Sequence, residues 1–445
     1  MLLHEPLCRC RPRAAGAVTH FVMKGKPMMQ NSCCPVYFLA LLIVALLTTS
    51  VHAADINSIR AVNGRMCSAG ELLVKFREGV SPEAADTVHR VLKISEWRQG
   101  FDNRYQLVSF TPGRESEMAE AYKKRPEVAH AEPNYYATTC SIPNDEYYPL
   151  QWNFPLINLP DAWDISTGEG VVVAVVDTGI NPFGRDSFGS LSDDRLMPGY
   201  NAIAGTRGGI DFNQHGTHVA GTIGQETNNG TGVAGIAYNA TLLPVKSLSF
   251  QGGGFYSWII NGIRWATDNG ADVINLSLGS GSYSRLLEEA VDYAYERGVT
   301  VVAAAGNDGT DEVLYPAALE HCIAVGAVRY DKKLAPYSNY GYEIDLVAPG
   351  GDLDVDQNYD GYEDGILQET FWAFGIGWGY WFSTGTSMAS PHVAGVAALI
   401  KAIHPEYGPD DIRQVLQDTA EDLGAPGWDE RYGYGLVDAH AAVSY

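Results

Sequence analysis

The chain has 445 residues, with 53 acidic against 30 basic side chains and a formal net charge of −23. That acid surplus repels phosphate backbones and argues against nucleic acid as a partner, while the length holds one large domain and a smaller one. Seven cysteines are too few and too scattered for a disulfide framework to carry the fold.

In chain order, the first feature is an apolar core from Tyr37 to Leu47, too short to span a bilayer and of signal-peptide length. Val51-His52-Ala53 follows as a small-residue cleavage site, so residues 1–54 read as a signal-peptide region of a secreted protein with no stable membrane anchor. Met23-Lys24-Gly25-Lys26 looks like an ordinary basic start, which points to Met23 as the true first residue. Cys8, Cys10, Cys33 and Cys34 precede the cleavage, Cys67 follows it, and only Cys140 and Cys322 are left further on.

Residues 70 to 139 read as a small α/β domain. Leu72–Phe76 and Tyr105–Phe110 are strand candidates; Pro82–Leu92 and Glu115–Lys124 are helix candidates. Beyond it, Val171–Val176 is six apolar residues in a row, mostly β-branched, the pattern of a strand buried on both faces of a parallel sheet. Asp177 stands where that strand ends, and catalytic groups of open α/β sheets collect at the carboxyl ends of strands. The plainer reading is an aspartate that opens a turn. Gln214-His215-Gly216-Thr217-His218 then leads into an apolar helix start; no third Cys, His or Glu lies nearby, which argues against a zinc pair.

Val273–Gly279 and Val299–Ala305 are further buried strands, the second followed by Gly306-Asn307-Asp308-Gly309. Helical patterns over Tyr256–Asp268, Ser284–Arg297 and Val393–His404 alternate with them. That alternation predicts an α/β fold, a parallel β-sheet covered by helices on both faces. Asp356, Asn358, Asp360, Gly361 and Asp364 have the spacing of an EF-hand-like calcium loop, although Leu367 occupies the position of the closing Glu. The aromatic run Phe371–Phe382 predicts a hairpin packed near a cleft. Last comes Gly385-Thr386-Ser387-Met388-Ala389-Ser390-Pro391-His392, which sets Ser387 just before an apolar helical run. Free N–H groups and the positive dipole end of a helix start favour an oxyanion there, but a lone serine at such a place is usually just a cap.

Taken together, the segments around Asp177, His215 and Ser387, in that order, resemble the subtilisin-like (subtilase) family of serine peptidases. The resemblance spans about residues 142–445 as a catalytic domain and, more weakly, 70–139 as a propeptide, giving a division at 1–54, 55–139 and 140–445. It implies a secreted endopeptidase working through an acyl-enzyme, made as a self-processing zymogen. Ser387 would be the nucleophile, His215 the general base and acid, Asp177 its orienting carboxylate, and Asn307 the oxyanion donor. His218 would be structural. Val128–Tyr135 resembles the end of a propeptide that acts as an intramolecular inhibitor, with the cut near Thr138–Ile142.

The same resemblance implies protein or peptide substrates bound as an added strand. Ser277, Leu278 and Gly279 would line one wall of the pocket for the residue before the cut, and Ala304, Ala305 and Gly306 the other. Gly252, Gly253 and Gly254 would form the opposite edge strand, and Tyr256, Ile259 and Leu278 an apolar pocket upstream. These features favour cleavage after apolar or aromatic residues, with Leu314 shortening the pocket and Asp308 at its rim favouring basic groups. Ca²⁺ is the implied cofactor: Asn229 with the carbonyls of Thr227, Thr231 and Val233 resembles the family's tight calcium loop, completed by Asp145 and Asp186. Glu343 and Asp345, two apart on a strand face, match a weaker cation site. Met388, beside the nucleophile, predicts sensitivity to peroxide. We expect a monomer and no bridge between Cys140 and Cys322. The rival reading is a non-catalytic peptide-binding protein, against which stand all four intact active-site residues.

Overall fold

Ser81 opens the first helix of the chain by accepting a hydrogen bond from Ala84 N, and Pro82 follows at the first helical position, where its missing N–H does no harm. The computed structural model describes residues 59–62, 65–100, 105–135, 142–186, 195–372 and 376–445; the signal-peptide region, Cys140 and most of the expected propeptide cut lie outside them. Among the described residues, β1 (Ile59–Val62), β2 (Arg65–Phe76), β3 (Glu96–Gln99), β4 (Gln106–Ser109) and β5 (Val128–Tyr135) form an antiparallel sheet. In it β2 pairs with β1, β4 and β5. Helices α1 (Pro82–Val91) and α2 (Glu115–Lys123) pack on it through Val88, Met118 and Tyr122 against Leu72, Val74 and Val108. The sequence reading missed β3 because Glu-Trp-Arg-Gln is exposed along its whole length and shows no apolar alternation.

After two short helices, α3 (Asn153–Leu156) and α4 (Leu159–Ala162), the large domain begins with β6 (Val172–Asp177). It continues through β7 (Tyr200–Asn201), β8 (Thr206–Arg207), α5 (His215–Gly224), β9 (Thr241–Lys246), α6 (Tyr256–Asp268), β10 (Val273–Leu276) and α7 (Arg285–Tyr295). Then come β11 (Thr300–Ala304), β12 (Cys322–Val328), β13 (Leu346–Pro349), β14 (Ile366–Thr370), β15 (Gly379–Ser383), α8 (Thr386–Ile403), α9 (Pro409–Thr419) and α10 (Ala439–Val443). The sheet order is β13-β12-β11-β10-β6-β9-β7-β8, parallel except for the small β7–β8 pair.

Successive residues of β6 enter opposite cores. Val173 and Val175 pack with α5 and α8, while Ala174 and Val176 pack with α6 and α7. Both faces are dry, so the strand has no polar face and reads as an unbroken apolar run. Each fully buried Val or Leu contributes about 1.5–3 kcal/mol. From β6 the chain proceeds to β9 on one side and then crosses back to β10 on the other, so the strand order reverses beside β6. The carboxyl ends of β6 and β10 flank that reversal, which is where open α/β sheets build their sites.

Three sequence expectations are corrected. The last long helix begins at Thr386, seven residues before the expected Val393, and runs through Pro391. The hairpin is β14 with β15, registered Ile366↔Ser383 to Thr370↔Gly379, so much of the aromatic run 371–382 is its turn. Glu343 and Asp345 do not share a strand face; Glu343 lies in a turn, Asp345 in the irregular link after it, and β13 starts only at Leu346.

Candidate active site

Asp177, at the end of β6, is fully buried, and His215 is the first residue of α5. The His215 Nδ1–H lies 2.8 Å from Asp177 Oδ1 and 3.0 Å from Oδ2. Thr178 N also donates to Asp177 Oδ1, at 2.6 Å. The close approach of α5 to β6 depends on Gly216, where a Cβ would stand 2.2 Å from Gly179 O. Asp211, fully buried and absent from the sequence reading, caps the helix start: its Oδ2 accepts from Gln214 N, Thr217 N and Thr217 Oγ1. The signal was an aspartate four residues before a helical histidine, the position of a capping residue one turn removed.

Burial by itself would lower the pKa of His215, but the charge and hydrogen bond of Asp177, with Asp211 beyond, outweigh it and raise the pKa above the ordinary 6.5. A general base must be neutral to take a proton, so raising this pKa shifts the loss of activity to higher pH. We expect the acid limb of kcat/KM to have its midpoint above 6.5, and Asp211→Asn to move it down. A limb unmoved by that substitution would remove Asp211 from the account. His218, one turn on, donates Nε2–H to Ile366 O (3.0 Å), and burial lowers its pKa to about 4. It is a neutral strut between α5 and β14.

Ser387 is the second residue of α8, after Gly385 with φ +145°. Its Oγ donates to Ser277 O at 3.3 Å and is not hydrogen-bonded to His215. Contacts of this kind often tighten only when substrate is bound. Pro391 has no N–H to give to Ser387 O four residues back, and Ser277 Oγ donates there instead, at 2.8 Å. Asn275 Nδ2 donates to Ser277 Oγ (3.0 Å), and Ser390 Oγ donates to Asn275 Oδ1 (2.7 Å). This buried chain of bonds explains how the helix continues through a proline, and its members Asn275 and Ser390 carried no sequence signal. On the other side, Asn307 Oδ1 accepts from Thr386 N (2.8 Å) and Thr386 Oγ1 (2.9 Å). With the oxygen so held, the amide nitrogen is the end left for a ligand, and it lies 3.5 Å from a Cβ placed on Gly385. Thr386, fully buried, was also missed.

Comparison with known proteins decides the family. Residues 168–435, more than half of the chain, match the Subtilase family, and residues 54–134 match the fervidolysin N-terminal prodomain. The chain belongs to the subtilase family. This subtilase is 36% identical over 378 residues to a thermophilic serine proteinase of Bacillus sp. (strain AK1), covering 84% of this chain and 88% of that protein. It is 40% identical to an alkaline protease of Alkalihalobacillus alcalophilus, over 74% of this chain and 77% of that one. Among solved structures, fervidolysin from Fervidobacterium pennivorans is similar with a TM-score of 0.60 and 26% identity, covering 87% of this chain and 62% of its own. A protease from Pseudoalteromonas arctica gives a TM-score of 0.61 and 39% identity over 68% of this chain and 99% of its own.

In this subtilase the expected pocket walls flank Leu314. A Cβ on Gly279 would lie 3.0 Å from Leu314 Cβ, and one on Gly306 only 2.7 Å from Leu314 Cγ. Leu314 N is bonded to Ala305 O (2.9 Å), and Ala304 and Ala305 are buried at the end of β11. Ser277 is buried after β10, Leu278 packs on the core, and Ile259 belongs to that core. Asp308 is exposed, its N–H bonded to Asn339 Oδ1. The expected strand at Gly252–Gly254 is instead a turn: Gly252, at φ +82°, donates to Ser249 O, and Ser249 N donates to Gly253 O. These bonds bend the segment back on itself and leave it outside any sheet. Tyr256 Oη donates to Ser282 O, tying α6 to the segment after β10. Met388 is 3% exposed, so an oxidant reaches it only through the packing around it.

The expected cation ligands fall into three places. Asp145 and Asp186, both buried, reach the 227–233 loop from separate segments. Asp145 accepts from Asn228 N (2.9 Å) and Asn229 N (3.3 Å), and Asp186 from Val233 N (2.8 Å) and Asn229 Nδ2 (2.8 Å). Burial pushes the Asp186 carboxyl up to about 7, although Val233 and Asn229 partly compensate. A cation would need Asn229 to turn its oxygen inwards, where it now accepts from Thr231 N. Thr231 is partly buried and Val233 fully buried beside it, as ligands through carbonyls would be. Two buried carboxylates, an amide oxygen and the carbonyls of Thr227, Thr231 and Val233 are a donor set that fits a hard cation. Glu369 of β14, missed by the sequence reading, buttresses Asp186 by accepting from its N–H (3.0 Å) and from Arg185 N (2.7 Å). At the second place, Asp345 is already engaged by Ala324 N (2.8 Å), Gln417 Nε2 (2.8 Å) and Arg413 Nε (3.6 Å), while Glu343 is exposed. A guanidinium holds that charge, and a metal ion would have to displace it. The third place is the 356–364 loop. Among the described residues no three Asp, Glu, His or Cys side chains are already gathered around one point.

Proposed function

We propose that this subtilase, a serine protease with a prodomain, is a secreted endopeptidase that matures by its own action and carries calcium in the 227–233 loop. The observation that supports this most directly is the His215–Asp177 pair at 2.8 Å on a helix, α5, that packs against α8, the helix carrying Ser387, with the Asn307 amide oxygen held by Thr386. Ser387 Oγ attacks the scissile carbonyl carbon while His215 Nε2 takes its proton, and Asp177 stabilises the imidazolium. The tetrahedral oxyanion receives Asn307 Nδ2–H and the Ser387 N–H at the helix start. His215 then returns the proton to the leaving amine, and water, activated in the same way, releases the acyl group. Calcium would hold Asp145, Asp186 and the loop together and would supply no step of the chemistry. The propeptide 55–139 serves as inhibitor until cut, and the division at residue 139/140 belongs to this proposal.

A fluorophosphonate probe tests the assignment. We expect one adduct, on Ser387, which heat denaturation before labelling abolishes. Folded, propeptide-free protein that takes no label would favour a binding protein with an inert cleft.

Leu314 sets the preference for the residue before the cut. With its side chain against Gly279 and Gly306, the pocket admits small and medium apolar side chains better than aromatic ones. Leu314→Gly should raise kcat/KM for Phe or Tyr at that position by about ten- to hundredfold relative to Ala, the range expected for opening a hydrophobic pocket by a few methylenes. An unchanged ratio in peptide-substrate profiling would mean that Leu314 does not close the pocket.

A further inference from the structure

The loop between β13 and β14 holds two carboxylates that are each only half satisfied, one oxygen of each being buried without a hydrogen-bond partner. Asp364 is 1% exposed; its Oδ2 accepts from Gln357 N at 2.7 Å, but its Oδ1 has no partner. Asp356 Oδ1 is likewise buried without a partner. Buried carboxylate oxygens without a donor are strongly unfavourable unless a proton, a water or a cation meets them. The chain around them is already wound into a tight turn. Gly361, at φ +93°, turns its N–H onto Asp356 Oδ2 (3.2 Å), Asp360 accepts from Asn358 Nδ2 (2.8 Å), and Asn358 Oδ1 accepts from Asp360 N (3.0 Å). A Cβ on Gly361 would meet nothing within 4 Å, so glycine is there for its backbone angle and not for space.

We propose that residues 356–364 bind one calcium ion, separate from the 227–233 loop, through side-chain oxygens of Asp356, Asn358, Asp360 and Asp364 and the carbonyl of Tyr362. The ion draws these side chains together from their present hydrogen bonds. Leu367, a buried β14 residue, stands where a closing bidentate carboxylate would be, so water completes the shell and the site is weaker than one with all ligands supplied by protein.

The loop's neck reaches the nucleophile turn. Asp352 N donates to Asp364 O (2.9 Å), and Gly351 O accepts from Tyr337 Oη and Thr384 Oγ1, each at 2.8 Å. Gly385 N, two residues before Ser387, donates to Gly350 O (3.0 Å). An ion that closes the loop therefore steadies the turn that presents Ser387; that consequence rests on the proposed catalytic role, while binding itself does not.

The experiment is a calorimetric calcium titration of the full-length Ser387→Ala chain, which cannot digest itself, with variants added to that background. We expect Asp364→Asn to bind one ion fewer. Asp356→Asn should weaken the same ion at least tenfold, and Asp145→Asn should lose the other ion while keeping this one. Cleavage by added chymotrypsin at Tyr359, which is 89% exposed, should slow at least tenfold with calcium in the Asp145→Asn chain and not in the Asp364→Asn chain. A folded Asp364→Asn chain with parental stoichiometry overturns the proposal. If Asp364→Asn does not fold, parental stoichiometry and affinity in Asp356→Asn overturn it equally, the buried oxygens then being met by water. Failure of the catalytic reading would show separately, as the absence of a fluorophosphonate adduct in the unmutated chain.

Discussion

Ser387→Ala should leave a folded chain that neither removes its propeptide nor hydrolyses peptides. In subtilisin itself, removing the nucleophile or the base lowers turnover by about 2 × 10⁶, and we borrow that magnitude for this relative. The substitution removes a single weak contact, Ser387 Oγ to Ser277 O at 3.3 Å. The backbone carbonyl that receives Ser277 Oγ at 2.8 Å is untouched, so the helix start and its support through Asn275 and Ser390 persist. The melting temperature should therefore change little while activity disappears. A residual rate of about 10³–10⁴ over water, from binding and the oxyanion donors, is compatible with the assignment. Mass spectrometry of the purified chain and kcat on a chromogenic peptide supply the two readings. A mutant that arrives matured and active would end the assignment of Ser387 as nucleophile.

Asn307→Ala should lower kcat by about 10² to 10³, equivalent to about 2.7–4 kcal/mol of transition-state stabilisation, with KM nearly unchanged; this magnitude too was measured in subtilisin. The split between the two constants follows from where the bond forms. In the proposed mechanism Asn307 Nδ2 donates to an oxyanion that exists only after attack, so the ground-state complex loses nothing when it is removed. The structure adds a condition. Asn307 Oδ1 holds Thr386 N at 2.8 Å and Thr386 Oγ1 at 2.9 Å, and Thr386 Oγ1 in turn accepts from Gly306 N at 3.2 Å. Removing the amide frees the turn before Ser387 as well as the donor. Asn307→Asp tests the second effect, since it keeps an acceptor for Thr386 while supplying no donor and adding a charge that repels the oxyanion. If Asn307→Asp nevertheless retains most activity, Asn307 acts by shaping the turn and not as the donor.

Much of the site was legible because its parts are local. Asp177 follows a strand whose apolar run is its own signature, His215 opens a helix after a polar turn, and Asn307 follows a second buried strand. The carboxylate loop at 356–364 was visible for the same reason, as spacing within nine residues. The reading failed where a distant partner decides the local outcome. The start of α8 was placed at Val393, where the apolar run begins, and it lies at Thr386, where Ser277, 110 residues from Ser387, satisfies the carbonyl that Pro391 leaves open. Asp345 was matched to a cation, and Arg413, 68 positions further on, supplies the positive charge instead.

By itself, then, the sequence determined the layered fold and the places and order of the candidate catalytic residues along it, since periodicity and turn chemistry act over a few neighbouring residues. Only the tertiary structure decided how those residues are held. Asp211 under the His215 helix, Thr386 behind Asn307, Asn275 and Ser390 behind Ser387, and Glu369 behind Asp186 all act across the fold. A buried polar atom must find a donor or acceptor wherever the packed chain brings one near, and that choice has no period along the sequence.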